Sequence, residues 1–308
     1  MLGPVLLAAA RSDGIRRLVS SAPVTRPVVE RFVPGERLDQ AVATADRLTG
    51  DGLTVTFDHL GENVSDAAAA LRARDAYLAL ADALAGAGRG DRVEMSVKLS
   101  AFGQALPGGH DIALRAVLPV VEAADRAGTT VTLDAEDHTT TESTLAVLAA
   151  LRERFPATGV AVQAYLFRAE ADCRALAASG ARVRLVKGAY REPPTVAHQR
   201  RAAVDLAYVR CLRALMEGGA YAMVATHDPR LIAVAQSVAR RAGLPGDGYE
   251  FQMLYGIRPQ EQARLAALGH RVRVYVPYGT DWYGYFTRRL AERPANLAFF
   301  LRSLVSRR

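Results

Sequence analysis

The stretch VEMSVKLS, residues 93–100, decides how the rest of the chain is read. Val93, Met95, Val97 and Leu99 alternate with Glu94, Ser96, Lys98 and Ser100. A period of two is the mark of a β-strand, here with one apolar and one polar face. The same alternation runs through TVTLDAE, residues 130–136, where Val131 and Leu133 oppose Thr132, Asp134 and Glu136. In ARVRLV, residues 181–186, Arg182 and Arg184 oppose Val183 and Leu185. In RVRVYV, residues 271–276, Arg273 and Tyr275 oppose Val272, Val274 and Val276. When a sheet closes into a barrel, alternate residues of each strand point inward and the others pack on helices. The polar sets are the inward ones in that geometry.

Working outward, strand-like runs are expected at Leu53–Phe57, Val93–Leu99, Thr130–Asp134, Val160–Tyr165, Val183–Val186, Ala220–Ala225, Tyr249–Leu254 and Val272–Val276. Amphipathic stretches fall between them: 66–84, 112–127, 142–155, 169–179, 197–216, 230–242 and 260–268, with a last helix from about Trp282 to Leu304. Strands alternating with helices of this length argue for a parallel sheet with crossover helices. Eight such units match a (βα)8 barrel of about 250 residues. An open doubly wound sheet is the alternative, and the regular repetition disfavours it. Residues 1–50, with Pro23, Pro27 and Pro34, read as an N-terminal helical arm, 51–281 as the barrel, and 282–308 as a final helix and tail of the same domain.

Composition narrows the class. Half of the 308 residues are apolar, enough for a large core. No apolar run approaches the roughly 18 to 20 residues of a membrane span. The short apolar stretch in MLGPVLLAAA has no basic residue before it, so a packed helix is expected there and not a signal peptide. Two cysteines, Cys173 and Cys211, suggest no disulfide framework and fit a reducing cytoplasm. The six histidines show no ligand spacing, so no metal centre is expected. The net charge of +7 is spread along every segment. Nucleic acid is therefore not expected as a partner, while attraction to an anionic membrane surface is compatible with the charge. Of 39 basic residues, only Lys98 and Lys187 are lysine. Lysine is a compact point charge and arginine a flat fork. The two lysines are thus candidates for sites where the ammonium itself matters.

Barrel enzymes place their chemistry at the C-terminal ends of the strands. Those ends present Asp58 and His59, Lys98, Asp134, Gln163, Arg184 with Lys187, Thr226 with His227, Gln252, and Tyr275. Each one singly reads equally well as a satisfied ion pair at a barrel rim. A polar end on every strand points to a site. In the last helix Tyr285, Arg288 and Arg289 lie at i, i+3 and i+4 and share one face. Two guanidinium forks beside a tyrosine suit a carboxylate held by charge-assisted bonds; a solvated surface pair is the plain alternative.

The blocks VKLSAFG, LDAED, VQAYLFR, RLVKGAY, ATHDPRLI, YEFQMLYG, RVYVPYG and GYFTRRLAERPAN occur in this order, over about residues 50–305. In them the chain resembles the proline dehydrogenase family. The resemblance implies a distorted (βα)8 TIM barrel whose final helix lies over the mouth. It implies noncovalently bound FAD and oxidation of L-proline to Δ1-pyrroline-5-carboxylate by hydride transfer to the flavin. Electrons would pass to a quinone-type acceptor, with peripheral association at the membrane surface. It assigns the substrate carboxylate to Arg288 and Arg289 with Lys98, and the proline ring to Leu254, Tyr275 and Tyr285. Arg184 would sit beside the flavin ring and Asp134 in the same catalytic network. Gln163 and the backbone of Ala135 would touch the ring, Lys187, Gly188 and Ala189 the ribityl and phosphate region, and Thr226 and His227 the nucleotide half. Gly188 and Ala189 would be small to let the cofactor approach the backbone. The chain has no room for the aldehyde dehydrogenase fused in larger relatives, so a separate pyrroline-5-carboxylate dehydrogenase is expected downstream. Two other readings stay open: a Schiff-base aldolase using Lys98 or Lys187, and a basic protein that binds membrane or nucleic acid without turnover.

Overall fold

The structure, a computed structural model, describes residues 29–61, 64–86 and 90–292. Helix α1 (Leu38–Gly50) leads into an alternation of strands and helices. These are β1 (Thr54–His59), α2 (Ala67–Ala85), β2 (Val93–Val97), α3 (Gly109–Arg126), β3 (Val131–Leu133), α4 (Thr141–Arg152), β4 (Gly159–Gln163) and α5 (Ala169–Ala178). They continue with β5 (Arg182–Val186), α6 (Arg201–Glu217), β6 (Tyr221–Ala225), α7 (Pro229–Arg241), β7 (Tyr249–Leu254), α8 (Pro259–Ala267), β8 (Val272–Tyr278) and α9 (Trp282–Glu292). All eight strands are parallel and close into one barrel in sequence order. The expected (βα)8 architecture is the observed one.

The strand ends moved for a tertiary reason. β1 runs on to His59 because Asp58 and His59 pair with Pro277 and Tyr278 of a longer β8. β2 stops at Val97, where the chain turns into a short 3-10 segment, Leu99–Phe102. Helix α6 starts at Arg201 and not near Ala197. The segment 187–200 before it is an irregular loop, pinned by one bridge between Leu166 and Ala197. Pro193 and Pro194 in that loop have no backbone N–H to donate to a helix. Residues 1–28 of the N-terminal arm and the last helix beyond Glu292 lie outside the described residues.

The outward faces form the core as expected, with Val93, Met95, Val97, Val131, Leu133, Val183, Leu185, Val272, Val274 and Val276 buried under the helices. The lumen is different from a usual barrel, whose interior is filled mainly by branched apolar side chains. Here Lys98, Arg182, Arg184 and Arg273 interleave with Asp58, Glu94, Asp134 and Glu250, four cations against four carboxylates. An unpaired buried charge costs several kcal/mol. The lumen tolerates eight because each is ion-paired with at least one other.

A second, smaller cluster roofs the mouth. Val29, Phe32 and Val33 from the arm pack with Leu60, Ile257 and the α9 residues Trp282, Tyr285 and Phe286. The indole Nε1 of Trp282 donates to Glu36 at 2.7 Å. The arm therefore holds α9 in place. No helix among the described residues is long and apolar enough to cross a membrane.

Candidate active site

The C-terminal ends of the strands open into a cavity of about 1070 Å³. Ordinary ligand pockets hold about 300–1,000 Å³, so the space suits a ligand at or beyond that range. Lys98, Asp134, Ala135, Gln163, Arg184, Lys187, Gly188, Ala189, Thr226, His227, Leu254, Tyr275 and Tyr285 all line it. The chain's two lysines thus share one cavity. The backbone of α9 carries Arg288 and Arg289, whose side chains lie outside the described part of the structure.

At the barrel axis the polar groups interlock. Lys98 Nζ donates to both oxygens of Asp58, at 2.8 and 2.9 Å, and lies 3.5 Å from Asp134 Oδ2. Asp134 accepts from the Tyr275 hydroxyl at 2.6 Å, Ser96 Oγ at 2.9 Å and Arg184 Nη1 at 2.5 Å. Arg184 also donates to Ser96 at 2.6 Å, to Gln252 through Nε at 2.6 Å, and to Glu94 through Nη2 at 2.8 Å. Its guanidinium lies 5.3 Å from the centre of the Tyr275 ring.

The two aspartates titrate in opposite directions. Burial pushes the Asp134 carboxyl up, but Arg184, Lys98 and the hydroxyls of Tyr275 and Ser96 outweigh it and hold the group below its ordinary range. At Asp58 burial wins over the Lys98 charge, and the carboxyl is raised. Burial, with the Asp134 charge, pushes the Tyr275 phenol well up, so it stays a donor.

The other end of the cavity is built from two helix starts. Arg201, Ala202 and Asp205 of α6 line it, as do Asp228, Pro229 and Arg230 at the beginning of α7. Helix N-termini present unpaired N–H groups and the positive end of the dipole, which favours anions. Lys187 donates to Asp205 at 2.5 Å and to Asp228 at 3.2 Å, and Arg230 bonds the same two carboxylates at 3.1 and 2.9 Å. Asp228 also caps α7, accepting from the Arg230 backbone. Hydrogen bonds from Arg230 and Lys187 keep its carboxyl well below the usual range. With Arg201, three cations meet two carboxylates at this end.

Small residues and fixed amides shape the walls between the two ends. Gly188 has φ 119°, and a Cβ there would lie 2.5 Å from the Tyr165 ring. This glycine is therefore required by protein packing, whatever approaches it from the cavity. The Gln163 amide is held in one orientation: Nε2 donates to the Glu136 carbonyl at 2.6 Å, and Oε1 accepts from the Tyr165 hydroxyl at 3.2 Å. His227 Nε2 accepts from the Leu254 backbone at 3.0 Å, joining the ends of β6 and β7.

Several contributors escaped the site reading of the sequence. Asp58 reads in the sequence only as a polar strand end and Glu94 only as an inward-facing residue, and they are the counter-ions of Lys98 and Arg184. Asp228 and Arg230 lie in the quoted block ATHDPRLI, where their charge alternation was a usable signal. Arg201 and Asp205 carry none, because nothing in a helix spacing reports its distance to Lys187.

The profile of the family described as "Proline dehydrogenase" matches residues 41–302. The chain is 40% identical over 281 residues to "Proline dehydrogenase" of Deinococcus radiodurans, covering 90% of each chain. It is 38% identical over 283 residues to "Proline dehydrogenase 1" of Bacillus subtilis, covering 92% of each. Among solved structures it resembles proline utilization A from Bdellovibrio bacteriovorus inactivated by N-propargylglycine, with a TM-score of 0.81, 27% identity and 87% of this chain aligned. A Bradyrhizobium japonicum proline utilization A structure aligns with a TM-score of 0.72 at 29% identity. The chain spans about a third of the length of these two structures, 33% and 32% respectively.

Proposed function

The chain belongs to the proline dehydrogenase family, and from that premise we propose that it oxidises L-proline to Δ1-pyrroline-5-carboxylate with noncovalently bound FAD. The observation that carries the reading is a single cavity with a cationic helix-terminus end and an ionic, tyrosine-walled end. Its volume exceeds what an amino acid needs, and Ala135, Ala161, Ala189 and Ala225 keep its walls thin. A long, flat ligand with a diphosphate fits these residues. Arg201, Lys187 and Arg230, with the starts of α6 and α7, would hold the phosphates. Gln163 and Arg184 would face the ring, and Thr226 and His227 the nucleotide half.

Bound FAD supplies the acceptor for the two electrons and the hydrogen that leave the proline carbon next to nitrogen. The chain's own residues bind, orient and exclude water. Lys98, with Arg288 and Arg289 from α9, grips the substrate carboxylate, which fixes where the ring carbon lies. Leu254, Tyr275 and Tyr285 wall the ring. As the carbon–hydrogen bond breaks, the nitrogen lone pair closes the C=N bond, so the amine has to enter neutral. Asp134, held low by its donors, is not a base for it. Arg184 keeps a positive charge beside the ring in a water-poor site, where fixed charge acts most strongly.

The electrons then pass to a quinone-type acceptor, and the net charge of +7 suits docking on an anionic membrane face. The product passes to a pyrroline-5-carboxylate dehydrogenase activity. The test is a visible spectrum: purified protein absorbs near 450 nm, and anaerobic L-proline bleaches the band (an approximate cofactor property). Colourless protein, or a band that proline leaves intact, rejects the reading. The aldolase alternative fares worse on geometry, because each lysine ammonium is bonded to carboxylates instead of presenting a lone pair.

A further inference from the structure

We propose that Glu94 is a positioning residue for Arg184: it fixes which guanidinium hydrogen faces the cavity and how much positive charge the arginine shows there. The inference rests on the flavin reading above and deepens it.

Glu94 has no exposed surface and does not line the cavity. It sits on the inward face of β2, one layer below Ser96 and two below Lys98. Its Oε1 accepts from Arg184 Nη2 at 2.8 Å and from the Thr56 hydroxyl at 2.7 Å. Its Oε2 accepts from Arg182 at 3.2 Å and lies 3.9 Å from Arg273 Nε. Thr56 and the two other arginines thus hold the carboxylate still, and the carboxylate holds Arg184.

The donor count shows the consequence. A guanidinium has five N–H hydrogens in a rigid plane. Arg184 spends one on Gln252, two on Ser96 and Asp134, and one on Glu94. One Nη2 hydrogen has no acceptor among the described residues, and Arg184 borders the cavity. Glu94 selects that hydrogen by taking the other one on the same nitrogen. It also offsets part of the arginine charge from beneath. A purely structural role for Glu94 would change stability without a preferred direction in the electronics of the site.

The variant Glu94→Gln keeps the shape and removes the charge. Less negative charge under Arg184 favours whichever form of the bound flavin carries more electrons. The two-electron potential is expected to move in the positive direction by about 30 mV, tenfold in the reduction equilibrium, with proline KM within about twofold. An unchanged or more negative potential overturns the proposal. Where the single variant leaves too many buried arginines unpaired to fold, Glu94→Gln with Arg182→Gln restores the charge balance. Arg182 does not border the cavity, but its charge is lost with that of Glu94, so a smaller shift in the same positive direction is expected, and an unchanged or more negative potential again overturns the proposal. Wild-type protein without a flavin band sinks the functional reading and this inference with it. Bound flavin with an unmoved potential sinks the inference alone.

Discussion

Gly188 lies against the ring of Tyr165, so close that a Cβ on the glycine would sit 2.5 Å from two ring carbons and 2.6 Å from a third. Its φ of 119° already excludes most side chains. The contact welds the end of β4 to the loop that follows β5, and Tyr165 N donates to the Lys187 carbonyl alongside it at 2.9 Å. Gly188→Ala is expected to cost about 1–3 kcal/mol, read as a lower urea midpoint, and to lower flavin occupancy. The double variant with Tyr165→Ala should lose less stability than the two single losses added together, because the clash is gone. A single variant as stable as wild type contradicts the contact.

Tyr275→Phe removes one of the donors that keep the Asp134 carboxyl low. A hydrogen bond to a charged group contributes about 1.5–3 kcal/mol, so kcat/KM should fall about tenfold or more. The acid limb of its pH profile should move to higher pH, because the carboxyl regains part of its burial shift. Superimposable profiles would show that the hydroxyl does not act on Asp134.

Lys98→Met strands Asp58, which is 1% exposed, without its ammonium. Removing one partner of a buried pair costs about 3–5 kcal/mol. The double variant Lys98→Met with Asp58→Asn should recover most of the stability and none of the proline affinity. Recovery of both would remove Lys98 from substrate binding.

Arg288→Ala and Arg289→Ala are each expected to raise proline KM at least about tenfold, the loss of one charge-assisted fork. Flavin content, measured by the ratio of visible to ultraviolet absorbance, should stay at the wild-type level. An ordinary KM in both variants places the pair outside the carboxylate site.

Acid stability follows from Glu94. Burial pushes its carboxyl up, but Arg273, Arg184 and Arg182 outweigh it, and the group titrates at about 2 instead of 4.5. A depressed carboxylate stabilises the fold fully above its unfolded value and loses that contribution as pH falls toward the folded one. Urea unfolding free energy should therefore decline from about pH 4.5 down to about pH 2. The decline should be shallower in Glu94→Gln, and parallel curves would show that the carboxylate carries no such linkage.

Much of the barrel was legible in VEMSVKLS and its counterparts. A strand reverses its side chains at every residue, so a polar inward face can be read from five letters. The two lysines were legible for a chemical reason, since a chain that otherwise uses arginine kept the ammonium only at the cavity. The strand ends were not. β1 reaches His59 only because β8, more than 200 residues later, continues to Tyr278 beside it.

The site divides in the same way. Alternation and charge type are local properties, set by backbone geometry within a few residues, and the sequence by itself determined them: eight strands, a polar lumen and a cationic rim. Which charges neutralise which was decided only by closure of the sheet. Arg184 meets Glu94 across 90 positions of chain and Lys187 meets Asp228 across 41. Electrostatic pairing depends on distance through the folded interior, and no spacing along the chain encodes that distance.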